Sequence, residues 1–398
     1  MIEDSKTFCM FPWIHLSVQP DKEVLPCCSA SSLGLYYEET SLNELWNSKE
    51  IKNLRVNMLN GVESSTCEYC YVTEKVGQKS PRQIINEKYN HHLNIVKSTK
   101  NDGEVDKLNL VYWDFRFSNI CNFKCRMCGP ISSTSWYEDY RKLTGKTHNS
   151  GKTSNINVLD ELDPLFDIVE EIYFAGGEPL ILDEHYYILN KLIELNKTNI
   201  PIVYSTNLSI LKYKDNNILD IWKNFEDISL GISLDGSGKR GELIRNGMKW
   251  NTFLENLTTV KRNVPKVKCL IAFTAQALNC FDMMNTQKLL FDFGLLNSVD
   301  DFIFQFLETP EILSMQILDN NTKKILCNKI EDHIQNFLIP SGSVKSLSDY
   351  KSMIEYLNLE DKSYLIPQFI KYCSSLDFFR NEDTEKTFPE LKNLWIGQ

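Results

Sequence analysis

Between about residues 108 and 310, runs of apolar, β-branched and aromatic residues alternate with stretches whose apolar positions recur every three to four residues. The runs predict strands at 108–116, 171–175, 202–206, 228–234, 268–275 and 302–307. The intervening pattern predicts helices at 183–195, 218–225, 252–262 and 283–291. Several of the strands read as continuous apolar runs, which fits parallel strands covered on both faces. Repeated strand–helix units imply a parallel sheet with right-handed crossovers. The expected class is therefore α/β, and the pattern alone leaves an open barrel and a doubly wound sheet equally available. Residues 1–107 carry five cysteines and few clear strand–helix units. Residues 311–398 read as mostly helical, with apolar spacing at 322–338 and 350–357. The polar stretch 141–157 reads as a loop. We therefore divide the chain into 1–107, 108–310 and 311–398.

Composition narrows the class. With 398 residues the chain is long for one domain. A formal net charge of −10, without a Lys/Arg run, argues against a general binder of nucleic-acid backbone. The first residues show neither a basic nor an apolar segment of the secretory type. No apolar run reaches the roughly 18 residues a membrane helix needs. These features lead us to expect a cytoplasmic protein without membrane contact. Twelve cysteines are many, yet too dilute for a secreted disulfide scaffold. In a reducing compartment, clustered cysteines bind metal more often than they pair.

Three of them stand in the run Cys121-Asn122-Phe123-Lys124-Cys125-Arg126-Met127-Cys128, directly after the first predicted strand of the core. Three thiolates on one tight loop can hold three corners of a cubane iron–sulfur cluster. A structural zinc site closes with four protein ligands, whereas a working metal site keeps one position open. CxxxCxxC after a strand resembles the signature of the radical S-adenosylmethionine (SAM) enzymes. Met127 stands where that family often has an aromatic residue, and a soft apolar side chain can shield the cluster similarly. The resemblance implies a partial (β/α)6, TIM-like barrel. It also implies a [4Fe-4S] cluster on Cys121, Cys125 and Cys128, whose open iron binds the amino and carboxylate groups of SAM. An electron from the cluster then cleaves SAM to methionine and a 5′-deoxyadenosyl radical, which takes a hydrogen atom from substrate. An external donor, flavodoxin- or ferredoxin-like, supplies that electron.

Further motifs extend the resemblance. Gly176-Gly177-Glu178-Pro179 follows a predicted strand, 48 residues after Cys128. Paired glycines at a strand end let backbone approach a ligand closely. The tetrapeptide matches the family's GGEP motif, which contacts the amino group of SAM. Ser205 and Asn207, around Thr206, end the next strand and correspond to polar SAM contacts. Ser233 and Asp235 end another, and Arg245 lies beyond it. They resemble the serine and the carboxylate-binding arginine of the family's peptide-modifying branch. Arginine suits a carboxylate because its planar fork donates two hydrogen bonds. Gln276 and Asn279 stand beyond the next strand as further candidates. The phosphate-loop spacing at 145–153 is one residue too long and lacks a preceding buried strand, so nucleotide triphosphate binding is not expected there.

A second cysteine set lies ahead of the core: Cys9 in Cys-Met-Phe-Pro-Trp, Cys27-Cys28 after Pro26, and Cys67-x-x-Cys70. By spacing alone, zinc and an iron–sulfur cluster fit equally. The set is similar to the auxiliary-cluster domains called SPASM and twitch, although those usually follow the barrel. The segments Asp377-Phe378-Phe379-Arg380 and Pro389-Glu390-Leu391 also resemble twitch-type proteins. The resemblance implies one auxiliary iron–sulfur cluster on Cys9, Cys27, Cys67 and Cys70, with Cys28 as a substitute ligand. The six histidines form no ligand pattern in the sequence. Trp113, Phe115 and Phe117 have strand spacing and read as core. The leading expectation is a radical SAM enzyme acting on a peptide or protein side chain. Radical chemistry on a small metabolite, and a non-catalytic zinc-stapled binding module, are the alternatives.

Overall fold

The computed structural model describes residues 5–35, 40–75, 79–148 and 156–396. It divides into two compact units. The first comprises Met1–Asn119, Ser150–Val203 and Phe225–Asp227. The second comprises Ile120–Asn149, Tyr204–Asn224 and Ile228–Gln398.

In the first unit, three short strands, β1 (Ser17–Val18), β2 (Glu23–Leu25) and β3 (Gly34–Leu35), run antiparallel to one another in sequence order. β1 then pairs in parallel with β4 (Tyr112–Phe115), Ser17 opposite Asp114. β4 pairs in parallel with β5 (Glu171–Phe174). The cysteine-rich segment therefore joins the sheet through a two-residue strand, too short to leave a period in the sequence. Trp13 and Trp113 are fully buried, and Trp113 meets Phe166 edge-on at 5.0 Å. Burying one such side chain contributes about 1.5–3 kcal/mol. Serine caps start the small N-terminal helices. Ser41 and Ser80 each form a reciprocal capping box, with Glu44 and Gln83.

Strand β6 (Ile202–Thr206) begins in the first unit and ends in the second. The second unit adds a hairpin, β7 (Lys212–Tyr213) and β8 (Asn216–Asn217). Its parallel strands β9 (Ile228–Ser233), β10 (Lys268–Ala275) and β11 (Phe302–Phe306) pair in sequence order. Helices Trp250–Asn263 and Met283–Asp292 connect them. The class is α/β, with parallel strands, a cysteine-rich N-terminal region and a helical C-terminus, as the sequence pattern implied.

Two expectations change. β9 and β10 alternate buried with half-buried residues instead of being buried on both faces. In β9 the half-buried set is Ser229, Gly231 and Ser233, a row of small side chains. Part of the expected loop at 141–157 is helical, because helix Tyr137–Thr144 runs on to the left-handed cap Gly145. The remainder of that loop, with much of the phosphate-loop spacing, falls largely outside the described residues. Among the described residues, no helix is long and apolar enough to cross a membrane.

Buried histidines set the acid response. Burial lowers His15 to about 4, His185 to about 3 and His333 to about 4. Unfolded, each takes up a proton near pH 6.5. The unfolded chain therefore binds more protons between about pH 6.5 and 4, and stability falls as pH drops through that window. His185 packs edge-on against Phe174 and Tyr186. His185→Phe keeps a ring there and removes the titration. Its Tm should fall less between pH 7 and 5 than that of the parent. Equal falls would contradict this origin.

Candidate functional site

In the second unit, the Cys121–Cys128 loop is stitched to residues 244–247 by backbone. Lys124 N–H donates to Asn246 O (2.9 Å) and Arg126 N–H to Ile244 O (2.7 Å). Between these bonds stands Arg245, 9 % exposed. Its guanidinium pairs with Asp235 at 2.7 Å and reaches Cys125 Sγ at 3.8 Å. A hydrogen bond from Cys128 lowers the Cys125 thiol, and Arg245 adds to this against burial. The same bond, with burial, raises Cys128. Such an electropositive setting favours thiolate at Cys125. Asp235 is itself engaged: it is wholly buried and accepts Thr274 N–H at 2.8 Å.

Asn207 joins this group. Its Nδ2 donates to Asn122 Oδ1 (3.0 Å) and lies 4.0 Å from Cys121 Sγ. Ser205 and Ser233 sit half-buried on their strands. Asn279 ties β10 down, donating to Thr274 O and Asp235 O. Gln276 differs: it is fully buried, and neither its Nε2 nor its Oε1 has a hydrogen-bond partner. A buried amide without a partner costs about 1–3 kcal/mol. A polar ligand at this strand end would satisfy it.

The Gly-Gly-Glu-Pro turn lies in the first unit, after β5. Gly176 has φ +122, and a Cβ there would come within 3.2 Å of Ser118 O. Gly177 N–H donates to that same oxygen. Glu178, 1 % exposed, accepts Leu180 N–H at 3.1 Å and so caps the turn Pro179–Ile181.

The second cysteine set also lies in the first unit. Cys9, Cys67 and Cys70 are close enough for each to disfavour a neighbouring thiolate, and Cys27 senses Cys9 and Cys67. Burial pushes Cys9 up to about 12 and Cys67 to about 11. Four neighbouring thiols, Cys9 and Cys70 buried and Cys27 and Cys67 half-buried, are costly as thiolates unless a cation compensates them, and four cysteines are a donor set for an iron–sulfur cluster. Cys28 is exposed, and its charged neighbours are Asp114 and Arg116. That environment favours Cys27 as the ligand of the pair.

Sequence reasoning missed the supports of this set. Arg55, wholly buried, donates to Pro12 O (2.9 Å), Gly103 O and Asn47, and stacks on Trp46 at 4.5 Å. Arg82 donates to Phe8 O and pairs with Glu74. Together they hold the segment on either side of Cys9. Also unforeseen, His91 and His92 each bring Nε2 to one oxygen of Glu170, at 3.0 and 2.8 Å. Those nitrogens are occupied by the carboxylate as it stands.

Residues 115–274 match the radical SAM superfamily, and residues 9–71 match the SPASM iron–sulfur cluster-binding domain. No curated protein matches the sequence. Among solved structures, one described as "Native anSMEcpe with bound AdoMet and Cp18Cys peptide" is 16% identical, over 57% of this chain and 60% of that one, with a TM-score of 0.38. "Structure of TYW1 with a lysine-pyruvate adduct bound" is 17% identical, over 57% and 71%, with a TM-score of 0.30. The chain thus spans about 60% of the length of the first of these. The two matched families imply a [4Fe-4S] cluster, SAM and auxiliary iron–sulfur as cofactors. Residues 115–274 thus carry a radical SAM domain, and residues 9–71, ahead of it in the sequence, a SPASM-type iron–sulfur cluster-binding region.

Proposed function

We propose that the protein abstracts hydrogen from a side chain of a peptide or protein, with SAM as the source of the abstracting radical. The observation that carries this reading is the second thiol set, Cys9, Cys27, Cys67 and Cys70, gathered in a SPASM-type region. Regions of this type resemble those of enzymes that mature ribosomally made peptides, where an auxiliary cluster accepts an electron from the substrate or positions it. When bound, the core cluster and SAM supply one-electron cleavage of the sulfonium and hydrogen-atom abstraction. Cys121, Cys125 and Cys128 hold the cluster. Gly176, Gly177, Glu178, Pro179, Ser205, Asn207, Ser233 and Arg245 serve SAM, and Asp235 holds the Arg245 guanidinium in place. Residues 1–107 form the auxiliary region, 108–310 the radical core and 311–398 the helical end. A reducing donor of flavodoxin or ferredoxin type completes the system.

The test separates peptide from metabolite. Anaerobically reconstituted enzyme, SAM and reductant are mixed with either perdeuterated peptides or perdeuterated small metabolites from the same cells. Deuterium in 5′-deoxyadenosine from the peptide fraction alone is expected. Deuterium from the metabolite fraction alone would overturn the peptide reading.

A further inference from the structure

One side chain of the cluster loop points away from the chemistry assigned so far. Arg126, between Cys125 and Cys128, is 0 % exposed. Its Nη2 donates to Asp377 (2.5 Å) and Glu382 (2.7 Å). Asp377 lies on helix Ile366–Arg380, and Glu382 lies just past the left-handed cap Asn381. Tyr372, on the same helix, donates its hydroxyl to Arg126 O at 2.6 Å. Asp377 is fixed in turn by the N–H and hydroxyl of Thr384, each at 2.8 Å. Glu382 also accepts from Asn246, beside Arg245.

The helix end makes a second attachment. Arg380 donates to Asp139 (2.9 Å) and lies 4.7 Å over the Trp136 ring. Trp136 Nε1 donates to Cys125 O at 2.8 Å. Lys124 pairs with Asp139 at 3.1 Å. The peptide oxygens of Cys125 and Arg126 are therefore both held by aromatic side chains, one on this helix and one braced by it.

We propose that helix Ile366–Arg380 is a positioning element for the core cluster, with Tyr372, Asp377 and Arg380 as positioning residues. They fix the carbonyls of the ligand loop and place a positive charge over Trp136, whose indole holds Cys125 O. Partners outside the ligands orient them, and local charge and hydrogen bonding set cluster potential. The inference rests on Cys121, Cys125 and Cys128 holding that cluster.

The test is an EPR-monitored redox titration of reconstituted full-length protein, with and without SAM. It uses Arg380→Gln, Arg380→Lys and Tyr372→Phe, and counts iron in each. Lys124 still compensates Asp139 in Arg380→Gln, so loading should persist. Its core potential is expected to move to more negative values, because a positive charge that stabilises the reduced cluster is gone. Arg380→Lys should restore most of that shift. Tyr372→Phe should alter the spectral change that SAM induces, and SAM cleavage should fall about ten- to a hundredfold. Unchanged potentials and spectra at full iron would overturn the proposal. Should Arg380→Gln fail to load, Tyr372→Phe, which removes a single oxygen, decides on the same readouts. A parent protein whose signal ignores SAM would instead defeat the cluster assignment.

Discussion

Cys125→Ala should yield no 5′-deoxyadenosine above background while the protein keeps its auxiliary iron. Cys125 is 5 % exposed and the central cysteine of the loop, and Arg245 is poised on its sulfur. Without that thiolate only two cysteines remain to grip the cluster. The fold should survive, because the loop is held by its backbone at Lys124 and Arg126, which the change leaves intact. Cys70→Ala is the mirror experiment. It should empty the auxiliary set in the first unit and leave the core signal, with its response to SAM, in place. Iron counting and EPR on both variants check the pair. If each variant loses the same iron, the two sets do not hold separate clusters.

Gly247→Ala should cost the core cluster without touching a ligand. Gly247 has φ +109, a conformation that strains any L side chain by about 1–3 kcal/mol. A Cβ there would meet Asn122 O and Phe123 Cδ1, both at 2.9 Å. The first of these is backbone of the cluster loop and cannot swing aside. The loop must move, and with it the stitching at Lys124 and Arg126. We expect reduced core iron and reduced SAM cleavage, with auxiliary iron unchanged. A variant that loads and cleaves like the parent would show that the loop tolerates displacement.

Much of the core was legible because its signals are local. β6 and β10 were read with the bounds they have, since each is an apolar run between polar stretches. The CxxxCxxC run carries its chemistry in eight consecutive residues. The N-terminal strands were invisible, because two or three residues show no period, and their partner β4 lies nearly 100 residues away. Helix Ile366–Arg380 was missed as a distinct element. It buries Phe369, Cys373 and Leu376, yet Phe378 is 84 % exposed, so the apolar positions mark no single face. The buried arginines were hidden for a related reason. In sequence, Arg55, Arg126 and Arg380 look like surface cations, and their partners become visible only when distant segments meet. The pairing of His91 and His92 with Glu170 is another case, spanning 78 residues.

The claim on which the rest depends is that three thiolates leave one iron free for SAM. Electron–nuclear double resonance on the reduced core cluster, with SAM labelled by 15N in its amino group and 17O in its carboxylate, addresses it most directly. Coupling to both labels is expected, together with 5′-deoxyadenosine on warming the same sample. A fully loaded cluster that couples to neither label, with a spectrum indifferent to SAM, would contradict it.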